Sequence, residues 1–158
     1  MSSPIDSDHI AFLIADIARH FRIAFEHDIA KSEIGVTASE ARVLAQLARA
    51  GATRQVSLAD SMCLAPMSLS VFLDRLEAQG LVRRQADPSD RRAKLVALTP
   101  EADPILQRMA EMGQQVSAIA LDGLDEAGQQ RFAEAAKTIR RNLEVHRGVK
   151  PLRMEVEP

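Results

Sequence analysis

Arginine is concentrated in one stretch of the chain, "RRQADPSDRRAKLVALTP", which spans residues 83 to 100. Four arginines and one lysine flank the turn-forming segment Asp87-Pro88-Ser89-Asp90, although the formal net charge of the whole chain is −2. That net charge argues against indiscriminate binding of nucleic acid. It does not exclude a local basic surface, because at ordinary salt concentrations charge effects are screened beyond about 10 Å.

The residue types that enzymes use for catalysis form no recognisable motif in this sequence. It contains no nucleophile elbow, no glycine-rich loop suited to a phosphate and no His-x-x-x-His helix. We therefore expect a protein that is not an enzyme, with no catalytic residue and no cofactor.

Metal binding and thiol chemistry are the alternatives that single residues suggest. Asp16 and His20 have the i, i+4 spacing of one helical face, but further ligands would have to converge on them, so we expect no metal site. Cys63 is the single cysteine, which excludes an internal disulfide. No Lys or His lies next to it in the sequence to activate its thiol, which argues against a redox sensor. That function is kept as an alternative only.

The composition indicates a globular protein with an aliphatic core. The chain has 158 residues, enough for one domain or two closely fused parts. Hydrophobic residues make up 46% of it, yet aromatic residues only 3%, with no Trp or Tyr. The N-terminal residues lack a signal-peptide pattern, and no apolar run approaches the roughly 20 residues that span a bilayer. We expect a cytoplasmic protein without a membrane partner.

The first periodic segment, about residues 8 to 31, predicts a long amphipathic helix. One face has the i, i+3, i+4, i+7 spacing, through Ile10, Leu13, Ile14, Ile17, Phe21 and Phe25. Phe12 and Ile23 lie off that stripe, so a second face is also partly apolar. A helix that is apolar on two sides usually contacts something besides its own domain, and a second copy of the chain is the simplest candidate.

Residues 35 to 80 predict three shorter helices. In "GVTASEARVLAQLARAG", Thr37 and Glu40 have the spacing of a capping box, and Gly51 can end the helix. "VSLADSMCL" predicts a short helix, and "APMSLSVFLDRLEAQG" predicts another after a turn of two or three residues. The inward positions of that last helix are Leu69, Phe72, Leu73 and Leu76.

After Gly80 the apolar pattern changes from a helical to a strand period. "LVRRQ" and "KLVAL", with the turn-forming residues between them, predict a β-hairpin. Thr99 and Pro100 then predict the N-cap and first residue of a new helix, whose start Pro104 could displace or bend. Helical spacing continues through residues 105 to 119 and recurs in residues 132 to 143.

Two short helices followed by a hairpin predict a winged helix-turn-helix, whose second helix enters the DNA major groove with its N-terminal residues. The hairpin tip can carry Arg91 into the narrow minor groove, where negative potential attracts arginine. Asp90 is expected to brace the turn or that arginine by accepting hydrogen bonds. The second helix is expected to turn outward Met67, Ser68, Ser70, Val71, Asp74 and Arg75.

"GLVRRQADPSDRRAKLVALTPEADPIL" resembles the wing of MarR-family transcription regulators, whose Asp-Arg-Arg tip followed by Leu-Thr is the family's most specific motif. The segment is especially similar to the SlyA-like branch, and the similarity extends from about Val36 to Pro104. The resemblance implies a homodimer built from the terminal helices, with two winged lobes on an inverted-repeat site in double-stranded DNA. It also implies a regulator, usually a repressor, that a small ligand or thiol oxidation releases.

Carried over by position, the resemblance places Ser68 and Ser70 at the family's major-groove contacts and Arg91 at its minor-groove arginine, with Asp90 as that arginine's partner. Val71 departs from the arginine that many relatives carry, which leaves the operator sequence open. The predicted DNA-binding residues are Gln55, Ser57, Met67, Ser68, Ser70, Arg75, Asp90, Arg91 and Arg92.

The expected architecture is therefore mainly α with a small β-hairpin wing. It has an N-terminal dimerisation helix in residues 1–35, a winged lobe in 36–99, C-terminal dimerisation helices in 100–147 and a tail in 148–158. A small effector, an apolar or aromatic acid, is expected in a cleft lined by Phe12, His20 and Met112. The alternative is a winged-helix dimer that binds protein, which the acidic net charge favours and the cations of the hairpin disfavour.

Overall fold

The computed structural model describes residue 6 and residues 8–148, without the side chains of Arg91 and Arg92. The predicted class, mainly α with a small β wing, is confirmed. The predicted tail, apart from residue 148, lies outside the described residues. In chain order the elements are α1 Ile10–Lys31, α2 Ala38–Ala50, β1 Thr53–Arg54, α3 Gln55–Met62, α4 Pro66–Ala78, β2 Val82–Asp87, β3 Asp90–Leu98, a 3-10 turn Pro100–Ala102, α5 Asp103–Ala120 and α6 Glu126–His146.

Both predicted ends of α2 are confirmed. The backbone N–H of Thr37 donates to the Glu40 carboxylate at 2.8 Å, and the backbone N–H of Glu40 donates to the Thr37 hydroxyl at 3.3 Å. This reciprocal capping box satisfies two of the N–H groups that a helix start leaves unpaired. At the other end Gly51 has φ of 70°, a left-handed conformation that glycine adopts without a steric cost.

The two central helices form the predicted helix-turn-helix. Residues 63–65 separate α3 from α4, and the chain bends by 114° between them, within the range of such motifs. Pro66 stands in the first turn of α4, where its missing N–H costs nothing. Gly80, with φ of 74°, follows the end of that helix and turns the chain into β2.

The hairpin is part of a three-stranded antiparallel sheet in the order β1-β3-β2. Its turn is the predicted one, with Asp87 opposite Asp90 and Pro88 and Ser89 between them. The sequence did not predict β1, because a two-residue strand is too short to show alternation. Its pairing with β3 places Arg54 opposite Leu95.

The helix predicted after Thr99 begins with a displaced start, as Pro104 suggested. A 3-10 turn, Pro100–Ala102, comes first, and α5 begins at Asp103 with the proline in its first turn. The Thr99 hydroxyl donates to the Gly80 carbonyl at 2.5 Å, which ties the end of the wing to the end of α4.

Two contiguous clusters of buried side chains form the interior, and their large buried members are aliphatic or Met. The lobe core lies between α2, α3, α4 and the sheet and includes Leu44, Leu58, Leu69, Leu73, Leu76 and Val96. The outer core lies between α1, α2 and α5 and consists of Ile29, Ala41, Met109 and Met112. Ile105 and Leu106 at the start of α5 contact both clusters.

The outer helices are far less covered. None of the residues of α6, all of which are described, is buried, and Leu143 is 57% exposed. The first half of α1 is exposed throughout, including Ile10 at 59%. Within residues 8–148 no single helix is both long and apolar enough to span a bilayer.

Candidate nucleic-acid interface

The outward face of α4 is built by the burial of its opposite face. Leu69, Leu73 and Leu76 are fully buried in the lobe core. Since successive helical residues are rotated by about 100°, this stripe turns Met67 and Val71 to the other side of the helix. They are 78% and 47% exposed.

The other predicted residues of the helix pair are mostly accessible as well. Ser57, Ser68 and Arg75 are exposed, whereas Gln55 and Ser70 are half-buried. Gln55 is the first residue of α3. The helix-turn-helix therefore brings the predicted positions on α3 and α4 into one lobe, with the two serines of α4 on either side of its outward face.

The wing tip is held by one buried carboxylate. Asp87, which is 5% exposed, accepts hydrogen bonds from the backbone N–H of Ser89 at 2.8 Å and from its hydroxyl at 2.6 Å. It also accepts one from the Arg54 Nε at 2.7 Å. The bonds from Ser89 and then the guanidinium lower the pKa of Asp87 from 3.8 to about 2. The turn is therefore closed around a charge that stays ionised across the physiological range.

Asp90 also lies near the guanidinium that contacts Asp87. Its carboxylate lies 3.9 Å from Arg54, a looser contact than the one Asp87 makes. The cation paired with Asp87 comes from β1, 33 residues earlier in the chain. The bracing role expected for Asp90 stays a prediction. Sequence reasoning missed Arg54 because β1 was not predicted, and without that strand nothing places the two side chains together.

Arg84 joins the base of the wing to α4. Its guanidinium contacts Asp74 at 2.6 Å and also Glu77, and its backbone N–H donates to Glu77 at 3.0 Å. These bonds from Arg84 lower the pKa of Glu77. Only 16% of the Arg84 side chain is exposed, and its guanidinium is paired with carboxylates of the lobe. It neutralises two carboxylates that would otherwise repel phosphate.

Arg75 also lies near an acidic side chain of the lobe. Its Nη1 lies 3.9 Å from the carboxylate of Glu40, whose side chain is 3% exposed and completes the cap of α2. The Arg75 side chain itself remains 61% exposed. The remaining predicted cations, Arg91 and Arg92, have their backbone in β3, and their side chains lie outside the described part of the chain.

The three residues predicted to line an effector cleft are not brought together. His20 lines a cleft of about 350 Å³ between α1 and the α5–α6 turn, with Leu13, Ile17, Phe21, Leu124 and Phe132 among its walls. Met112 is buried in the outer core and borders a separate cleft of about 240 Å³ beside Asp28 and Lys31. Phe12 is exposed and faces the ring of His9. The two residues lie at opposite ends of the contact between α1 and α5. His20 is near the C-terminal end of α5, whereas Met112 is near the C-terminal end of α1.

Cys63 ends α3 in a left-handed conformation, with φ of 52° and ψ of 41°, and is exposed. Among the described residues, no three His, Cys, Asp or Glu side chains lie close enough together to hold a metal ion.

A helix-turn-helix followed by a braced hairpin defines the class: this is a winged helix-turn-helix protein. A sequence model of the MarR family matches residues 36–94, from just before the cap of α2 to the middle of β3. The chain belongs to the MarR family of transcription regulators. Its assignment to the SlyA-like branch stays a prediction.

Several solved structures of regulators are similar to this chain in fold. The transcriptional regulator PA3341 is 31% identical, with 86% of this chain and 98% of that chain covered and a TM-score of 0.69. A MarR-family regulator from Rhodococcus sp. RHA1 is 25% identical over 87% of this chain and 96% of that chain, with a TM-score of 0.71. BpsR of Bordetella bronchiseptica, whose DNA binding is regulated by 6-hydroxynicotinic acid, is 23% identical over 88% of this chain and 98% of that chain, with a TM-score of 0.67, and is similar in fold.

Proposed function

We propose that this chain is a cytoplasmic regulator that binds double-stranded DNA as a homodimer and represses transcription until a small ligand releases it. In the proposed complex, α4 of each protomer lies in the major groove of one half of an inverted repeat, and the wing tip lies in the adjacent minor groove. The observation that carries the proposal is the tip itself, where Arg54 and Ser89 hold the buried carboxylate of Asp87.

A fixed tip matters because ordering a loop on binding costs free energy, and a turn that is already closed avoids much of that cost. Arg91 follows the turn directly in β3. An arginine at this position can enter a minor groove without rearrangement of the turn, and a narrow minor groove attracts it. Its contact with DNA is carried over from the family resemblance.

The charges of the lobe also suit a polyanionic partner. Arg75, Arg83 and Lys94 are exposed, whereas the carboxylates of Asp74 and Glu77 are paired with Arg84. Most of the affinity for DNA comes from phosphate contacts. The lobe can therefore supply a local basic surface although the chain as a whole carries a net charge of −2.

Dimerisation is supported by the uncovered apolar side chains of the outer helices. Ile10, Leu13 and Ile14 on α1 and Phe132 and Leu143 on α6 are between 40% and 59% exposed. Monomeric proteins rarely expose large contiguous apolar patches. A second copy that covers these helices also provides the second lobe that an inverted repeat needs.

Release by a small ligand is supported by the cleft of about 350 Å³ beside His20. Its size is at the lower end of small-molecule sites, and its walls are mainly apolar. We propose an apolar or aromatic acid as the ligand class. Such a ligand acts by binding one arrangement of the two lobes more tightly than another.

A gel-shift assay with the DNA upstream of the chain's own gene, run at two salt concentrations, tests the proposal. Specific binding should weaken steeply as salt rises, because counterions are released from neutralised phosphates. Footprinting should protect two half-sites about 34–36 Å apart. A protein-interaction module would give no protected half-sites at either salt concentration, and that result would reject the proposal.

Variants then locate the contact. Arg91→Ala should cost about 1–3 kcal/mol of specific binding. Lys137→Ala, which removes one exposed positive charge from α6, is its matched control and should leave the affinity unchanged. Ser70→Glu should abolish binding through phosphate repulsion while the dimer persists on a sizing column. If Ser70→Glu still shifts the same DNA, α4 is not the helix that enters the groove.

A further inference from the structure

The part of α4 that first meets a major groove in the proposed complex is apolar. Met67 and Val71 are 78% and 47% exposed. They are four residues apart on one helix, so their side chains are neighbours on its surface. They lie on the side of the helix opposite Leu73 and the rest of the lobe core, where most of the Met67 side chain and about half of the Val71 side chain are accessible.

Charged and amide side chains are absent from the same half of the helix. Residues 66–71, all of which are described, read Pro-Met-Ser-Leu-Ser-Val. An Arg or Lys usually reads guanine in the major groove, and an Asn or Gln usually reads adenine. The first charged residues of α4, Asp74 and Arg75, come about one turn later and contact Arg84 and Glu40 respectively.

We propose that Met67 and Val71 recognise the C5 methyl groups of thymine, so that thymines occupy the operator positions opposite the first two turns of α4. This inference rests on the proposed function, in which α4 enters the major groove. It goes further because it names the two residues that set the base preference and the base that they select.

The chemistry favours thymine over the other bases. In the major groove of unmodified DNA, thymine presents a C5 methyl group beside its O4 acceptor, whereas adenine, guanine and cytosine present polar atoms and no methyl group. Covering a polar atom with Met67 or Val71 leaves it without a hydrogen-bond partner, which costs free energy. Covering a methyl group instead removes apolar surface from water. Ser68 and Ser70, which flank the two apolar residues, can donate to or accept from the adjacent base edges or phosphates.

The test changes only the methyl group. Full-length protein first selects its preferred site from a pool of randomised duplexes. Each thymine of the selected half-site is then replaced in turn by deoxyuridine, which lacks the C5 methyl and keeps the pairing. The dissociation constant is measured by fluorescence anisotropy at one salt concentration. Wild type should lose about fourfold in affinity for each thymine whose methyl is covered.

The protein variants assign that loss to particular residues. In Val71→Ala and Met67→Ala, deoxyuridine at the thymine facing the truncated residue should cause little further loss. Val56→Ala is the matched control, because Val56 is a 68% exposed valine on the neighbouring helix α3. It should keep the wild-type sensitivity to deoxyuridine.

Two results overturn the inference while leaving the proposed function in place. One is tight binding of a selected site that Ser70→Glu abolishes, while replacement of its thymines by deoxyuridine leaves the affinity unchanged. The other is a loss with deoxyuridine that is unchanged in both Val71→Ala and Met67→Ala. A selection that enriches no sequence, or one that enriches a site bound equally by Ser70→Glu, rejects the proposed function and the inference with it.

Discussion

The winged lobe and the outer helices contain the same kinds of apolar residue but differ in what covers them. In the lobe, Leu69, Leu73 and Val96 are 0% exposed. On α6, Ile139 and Leu143 have comparable spacing along the helix and are 37% and 57% exposed. The helical pattern is equally regular in both regions, so periodicity alone does not decide whether a residue is buried within its own chain.

The two regions also differ in their polar contacts. The lobe contains ion pairs between distant parts of the sequence, such as Arg54 with Asp87 and Arg84 with Asp74. The ion pairs of α6 are local, for example Lys137 with Glu134 three residues away. The side chains of the lobe are therefore packed and paired within a single chain, whereas the apolar side of the outer helices is left uncovered within that chain. Substitutions in the two regions test this contrast.

Truncation in the lobe core should have the largest effect on folding. Leu73→Ala removes a fully buried side chain and is expected to lower the free energy of unfolding by about 2–5 kcal/mol. Urea titration followed by circular dichroism measures the change. An equal loss at low and high protein concentration is expected, because the lobe core lies within one chain. A loss below about 1 kcal/mol would contradict the burial of this residue.

A charge on the apolar side of α6 should break the dimer and leave the lobe folded. Ile139→Asp is expected to weaken dimerisation at least tenfold, about 1.4 kcal/mol, because burying an unpaired carboxylate is unfavourable. Sedimentation equilibrium measures the dissociation constant. Thr138→Asp places the same charge on the neighbouring exposed residue, off the apolar stripe, and should leave the dimer intact. If both variants dimerise like wild type, the apolar side of α6 is not the contact surface.

Removal of the helix cap of α2 should have an intermediate effect. Thr37→Ala deletes the hydroxyl that accepts from Glu40 and is expected to cost about 1 kcal/mol of stability. Thr138→Ala makes the same substitution in the interior of α6 and should change the stability by less than about 0.5 kcal/mol. Thermal unfolding of the two variants side by side measures the difference. Equal effects would show that the cap contributes nothing beyond helix propensity.

The contacts of the Asp87 carboxylate should stabilise the folded chain, and this stabilisation should be lost in acid. The pKa of Asp87 is about 2 in the folded chain, below its ordinary 3.8. A lowered pKa stabilises the folded state above pH 3.8, and this contribution is lost as the pH falls through 2. Urea midpoints between pH 5 and pH 2 should therefore fall less in Asp87→Asn than in wild type.

The cause of this shift is measurable residue by residue. The Asp87 carboxyl resonance should titrate near pH 2 by carbon NMR. In Ser89→Ala the pKa should rise, because the shortest hydrogen bond to that carboxylate, at 2.6 Å, is missing. An unchanged titration in this variant would show that the hydroxyl does not hold the turn.

Most of the fold could be predicted from the sequence because its signals are local. The capping pair Thr37 and Glu40, the spacing of Leu69 and Leu73, and the turn-forming residues of the wing each act within a few positions. The strand β1 could not be predicted, since two residues show no alternation and its place is set by pairing with β3. The same distance in sequence hid Arg54 as the partner of Asp87.

The candidate site was predictable to the same extent. The outward residues of α4 follow from the helical period, and Met67, Ser68 and Arg75 are exposed as expected. The residues that line a cleft between two helices depend on where along their lengths the helices pack together. No short stretch of sequence encodes that position. For this reason His20 and Met112 border different clefts.

Ile105 and Leu106 contact both the lobe core and the outer core. These two side chains make the first turn of α5 a part of the lobe, although it lies beyond the wing in sequence. A chimera that transplants this lobe onto the terminal helices of another family member should therefore be joined after Leu106. A junction at Thr99 would separate Leu73 and its neighbours from side chains that complete their packing.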